Sequence, residues 1–145
     1  MQITSRFTIG VHILAALEYF KNDYNVTSAF LAASVGANPV IVRGVMGKLK
    51  EAGIIEISQG KTGISLAKRL DDVSFYDVYK ALGCVEENEL FHFHENPNTN
   101  CPVGKNIHFA MDKRLSTVQT TMENEMKKIT IGDVYSDIKK EIGTK

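Results

Sequence analysis

The sequence predicts a mainly α protein with a small β-hairpin wing: a winged helix-turn-helix domain followed by a long C-terminal dimerisation helix. Three observations carry that prediction. Residues 27–66 contain two short helical stretches, a glycine stop between them and a glycine-bearing hairpin, in that order. Apolar residues then recur in steps of three and four from Val103 to Ile129, which is the period of one long amphipathic helix. Finally, residues 1–70 hold eight Lys or Arg against four Asp or Glu, whereas residues 71–145 hold nine against thirteen, so a chain of zero net charge divides into a basic and an acidic half.

The elements follow in order. Thr4 to Phe20 is helical, with Phe7, Val11 and Leu14 on one stripe and Ile13, Leu17 and Phe20 on the adjoining one, a breadth that implies burial on two sides. Thr27 opens a second helix over residues 28–34, and Gly36 ends it. Asn38 is a good N-cap for a third helix, Pro39 suits its first turn, and Val42, Val45 or Met46, and Leu49 share one face. Lys48, Lys50 and Gly53 close that helix with cations on the negative end of the dipole and a glycine stop. Residues 54–58 and 64–66 read as strands joined by the loop Gln59-Gly60-Lys61-Thr62-Gly63. Leu70-Asp71-Asp72-Val73 is expected to be a short linker, and Ser74 with Asp77 resembles a capping box opening a helix to Leu82. Residues 84–100 form a polar, irregular stretch, long for a connection without a task. The organisation expected is therefore a winged domain over 1–82, a sensing loop over 83–101, and a dimerisation helix with a C-terminal helix over 102–145.

A winged helix-turn-helix places its second helix in the major groove of double-stranded DNA while the hairpin reaches the flanking backbone. Arg43, Gly47 and Lys50 fall on the exposed face of that helix, and Arg43 is the leading base-reading candidate. The full set of expected DNA contacts is Arg6, Thr27, Ser28, Asn38, Pro39, Arg43, Lys48, Lys50, Gln59, Lys61 and Thr62. Asn38 could bond a base but is better suited to capping the helix, and Gly44 and Gly47 inside the helix fit either a close approach to the duplex or to a neighbouring helix, or a tolerated imperfection of the helix. The long apolar stripe exceeds what a small domain needs for its own core. It predicts a homodimer with a seam through Ile107, Met111, Leu115, Val118, Met122 and Met126, reading an inverted-repeat operator.

Composition excludes several classes. No phosphate loop, nucleophile elbow or metalloprotease helix is present, so no enzyme is expected. The first apolar run, Ile9 to Phe20, is interrupted by His12 and Glu18 and too short to span a bilayer, so no membrane is expected and the cytoplasm is the default compartment. Cys84 and Cys101 do not form a secreted disulfide framework. Cys101 precedes a helix opened by Pro102, where the dipole favours the thiolate, which makes it the candidate redox sensor, with Cys84 second to it and more suited to a structural place. A metal would have to use His92, His94, His108 and Cys101, an unpatterned set, and none is expected.

The stretches Ser5-Arg6-Phe7-Thr8-Ile9-Gly10 and Gly47-Lys48-Leu49-Lys50-Glu51-Ala52-Gly53-Ile54-Ile55, the wing glycines Gly60 and Gly63, Asp77-Val78, and Cys101-Pro102-Val103-Gly104 together resemble the Rrf-type winged-helix regulators, a family that includes iron-sulfur, nitric-oxide and cysteine-metabolism regulators. The resemblance covers most of the chain. It implies a dimeric bacterial transcription factor, usually a repressor, whose loop before the long helix senses a signal and alters the spacing of two reading heads. Cluster-binding members carry three closely spaced cysteines in that loop; only Cys101 stands in a matching place here, so no iron-sulfur cofactor is expected. Two other readings are a winged helix that binds protein, and a metal- or iron-sulfur-binding regulator.

Overall fold

The computed structural model describes residues 3–22, 26–58, 63–83 and 90–143. The expected contacts Gln59, Lys61 and Thr62, the glycine Gly60, and Cys84 lie outside the described residues.

Helix α1, Ser5–Tyr19, starts at Thr4, whose hydroxyl accepts from the Arg6 N–H at 3.3 Å. Its two apolar stripes bury Ile13, Leu14 and Leu17, one side against α3 (Pro39–Glu51) and the other against the C-terminal helix. Helix α2, Ser28–Val35, ends at Gly36, whose φ of 74° is the left-handed region that a side chain would resist. The chain then turns by 113° into α3, within the range of a helix-turn-helix. Four side chains of α3, Val42, Val45, Met46 and Leu49, are buried against α1 and α2. At about 1.5–3 kcal/mol each, that burial fastens the inner face of α3 and leaves its outer face free.

The wing pairs β1 (Ile55–Ile57) antiparallel to β2 (Ile64–Leu66) in the register Ile55↔Leu66, Glu56↔Ser65, Ile57↔Ile64. Ile55 and Ile64 point into the core, and the Ile64 N–H donates to the Val26 carbonyl at 3.2 Å, which ties the wing to the start of α2. The segment read as a linker is instead a 3-10 turn, Leu70–Asp72, with Leu70 and Val73 buried; it is part of the core because a helix packs over it.

Helix α4, Phe75–Ala81, opens with the expected capping box: the Ser74 hydroxyl accepts from the Asp77 N–H at 3.1 Å and the Asp77 carboxylate from the Ser74 N–H at 2.9 Å. A second such box, between Thr130 and Asp133, opens α6, Ile131–Gly143. The two boxes sit side by side, because the Phe75 and Ile131 N–H groups donate at 2.8 Å to the carbonyls of Ile129 and Val73. Helix α6 lies on the 3-10 turn and α1, with Ile131 wholly buried in the main core. Gly132 is required there: a Cβ would collide with the Asp71 carboxylate. Between α4 and α6 runs α5, Pro102–Lys128, whose 27 residues extend about 40 Å and pack along α4.

Candidate nucleic-acid interface and sensing loop

The outer face of α3 carries Val40, Arg43, Gly44, Gly47 and Lys50 at the spacing of one helical stripe. Arg43 and Lys50 are exposed and form no ion pair with a described residue, whereas Lys48 stands 4.0 Å from Glu51 in an exposed pair of little energetic consequence. An open hollow of about 440 Å³ lies between the start of α2, α3 and the wing, lined by Thr27, Ser28, Arg43, Gly47 and Ile57 among others. Thr27, Ser28 and Arg43 are thus brought together beside the wing. Arg6 and Pro39 are exposed on the first turns of α1 and α3. Two of the candidates use their oxygens as caps: Thr27 Oγ1 accepts from the Phe30 N–H at 3.1 Å and Asn38 Oδ1 from the Val40 N–H at 2.8 Å. Gly44 and Gly47 have nothing within 4 Å of where a Cβ would stand. No neighbouring helix requires them to be bare.

Cys101 is the N-cap of α5, followed by Pro102 at its first turn. The thiol is half-buried, and the backbone amides of Gly104 and then Val103 hold its pKa below the ordinary thiol value of 9.0. Gly104 admits the loop, since a Cβ on it would collide with the Asn98 carbonyl. Further along, the Leu90 N–H donates to Gln119 Oε1 at 2.9 Å, Gln119 Nε2 donates to Glu123 Oε2 at 3.2 Å, and the buried Tyr79 hydroxyl donates to the same Glu123 oxygen at 2.9 Å. Loop, α5 and α4 are joined by this chain of hydrogen bonds. The sequence reading missed Tyr79, Gln119 and Glu123; the available signal was a polar Gln119 four residues after Leu115 and three before Met122, on a stripe otherwise apolar, and the structure buries it.

The predicted α5 seam divides. Met122 and Met126 pack on Tyr79 of the same chain, while Val103 and Val118 are 69% and 51% exposed on the outward flank. Ile107, Met111 and Leu115 are half-buried. A helix advances about 100° per residue, so Val118 faces out where Gln119 faces in.

The His108 ring stacks on Phe93 at 4.6 Å between centroids and meets the His94 ring edge-on at 5.1 Å, while His92 is exposed. Among the described residues no group of three or more His, Cys, Asp or Glu is placed to hold a metal ion. Likewise, no single described helix is long and apolar enough to cross a membrane.

A basic, solvent-facing recognition helix set between a short helix and a β-hairpin defines a DNA-binding winged helix-turn-helix regulator. The family described as Rrf2, iron-dependent transcriptional regulator, matches residues 3–137, and the chain belongs to it. A Bacillus subtilis protein provisionally named HTH-type transcriptional regulator YwnA is 40% identical over 136 residues, 94% of this chain and 98% of that one. The crystal structure of a provisionally assigned DNA-binding protein is 36% identical, with a TM-score of 0.70 over 90% of this chain and 98% of its own. A provisionally assigned transcriptional regulator from Lactobacillus plantarum, 22% identical, shares the fold with a TM-score of 0.78 over 93% of this chain and 90% of its own. The family and its Bacillus subtilis relative are described as transcriptional regulators, not enzymes. The iron in the family description does not fit the described donor set: the chain has two cysteines, and Cys101 is the one described.

Proposed function

We propose that the protein is a homodimeric, cofactor-free repressor that binds an inverted-repeat operator through α3 of each copy and answers a redox or small-molecule signal at Cys101. The observation that carries the sensing role is the position of this thiol, half-exposed at the N-cap of α5 with the Gly104 and Val103 amides favouring its thiolate. Dimerisation is supported by the outward flank of α5, where Val103 and Val118 are exposed beside Ile107 and Met111 on a helix of about 40 Å. Two copies related by a two-fold axis would face successive major grooves, and the half-sites would lie one helical turn or a multiple apart. In the redox reading, the Cys101 thiolate attacks a peroxide oxygen, the O–O bond breaks, hydroxide leaves and a sulfenic acid remains. The added oxygen then disturbs the Asn98 to Gly104 contact at the start of α5.

The test is capture of fragmented genomic DNA by the purified protein, under strong reductant and after mild peroxide. Fragments released on oxidation by the native protein and retained by Cys101→Ser support the thiol switch. Fragments retained under both conditions move the signal to a small molecule, and absence of specific fragments refutes operator binding.

A further inference from the structure

We infer that Val40 reads a thymine C5-methyl group in the major groove, beside the base that Arg43 contacts. The inference rests on α3 being the groove-reading helix. A single exposed apolar residue is ordinary on a protein surface, and 66% exposure of Val40 would mean nothing elsewhere. Its place is what matters. Val40 lies in the first turn of α3, the part of a recognition helix that meets base edges. The turn is held by Asn38 Oδ1, which accepts from the N–H of Val40 itself at 2.8 Å. The core does not need this side chain, because Val42, Val45, Met46 and Leu49 already fill the inner face.

The chemistry narrows the partner to one group. Valine neither donates nor accepts a hydrogen bond, and in the major groove the only apolar feature of the four bases is the thymine methyl. A β-branched side chain in a helix holds one χ1 rotamer, so Val40 presents its methyl groups with little entropy left to lose. One turn along the same stripe stands Arg43, exposed and unpaired with any described carboxylate, and four residues along stands Gly44, with no Cβ to hold the helix away from the duplex. Val40 and Arg43 therefore form an apolar and a cationic reader on one edge, suited to a thymine next to a guanine.

The experiment uses the native chain, Val40→Ala and Val40→Thr, with a duplex taken from a captured genomic fragment in which each thymine is replaced singly by uracil. The replacement removes the methyl group and keeps the base pair. At one thymine in each half-site the native protein is expected to lose roughly fourfold in affinity, the value of one buried methyl. Val40→Ala is expected to bind the thymine duplex about as weakly and to be indifferent to uracil there, with Val40→Thr intermediate. Val40 is exposed, so the melting temperatures of all three should agree to within about 3 °C, the spread that helix propensity alone allows. If native protein binds but no thymine matters, or if Val40→Ala keeps the same sensitivity, the assignment falls while DNA recognition by α3 stands. If no form binds any duplex, both fall together.

Discussion

Replacing Gly44 and Gly47 with alanine should stabilise the protein and weaken its hold on DNA, two effects of opposite sign from one pair of methyl groups. Neither glycine has a positive φ, and neither has an atom within 4 Å of the position a Cβ would take, so alanine meets no strain and no clash. Each site lies inside α3, where glycine costs about 1 kcal/mol relative to alanine. The pair should therefore add about 2 kcal/mol, which for a chain of this length raises the melting temperature by roughly 8 °C. On the outer face the same methyls stand where the helix backbone would approach base edges. Holding the helix off the groove would weaken together every DNA contact expected of Arg43 and Lys50, and a tenfold loss of operator affinity, about 1.4 kcal/mol, is expected. Thermal melting and fluorescence anisotropy on the same preparations measure both. A rise in stability with unchanged affinity would refute the placement of this face against DNA. A fall in stability would refute the reading that the two sites are open.

Three further outcomes are expected. Tyr79→Phe removes the donor that meets Glu123 at 2.9 Å and should cost about 1.5–3 kcal/mol in urea unfolding, a hydrogen bond to a charged group being lost without a change of shape. Gly132→Ala brings a Cβ onto the Asp71 carboxylate and should destabilise by about 1–3 kcal/mol, the reverse of the α3 substitutions, as read by the same melts. The pKa of Cys101 lies below 9.0, so a larger share is thiolate at neutral pH than in an ordinary thiol; alkylation by iodoacetamide should reach half its maximal rate at a lower pH than for the unfolded chain, and equal midpoints would remove the support for a reactive thiol.

Much of the winged domain was legible because its signals are local. Thr27, Asn38 and Ser74 announce helix starts within three residues, and Gly36 announces a stop. The four inward residues of α3 repeat with the helical period and so leave Arg43 and Lys50 outside. What sequence did not separate were the two flanks of α5. Its apolar stripe is wide enough to serve both its own domain and the outside, and only the placement of Tyr79 reveals that Met122 and Met126 turn inward while Val118 does not. The burial of Leu70 and Val73 was hidden for the same reason, since it depends on α6, some sixty residues away in the chain. The Thr130 and Asp133 box, by contrast, is a local signal of the same kind as Ser74 and Asp77.

The paired bonds joining Val73 to Ile131 and Ile129 to Phe75 make the end of α5 a fulcrum. From there to its start the helix spans about 40 Å, so one degree of swing about that end would move its far tip by about 0.7 Å. Cys101 sits at that tip. In the proposed redox reading, the bulk of a single oxygen on Cys101 would act where leverage is greatest, and the winged domain at the pivot would receive it as torque rather than as displacement.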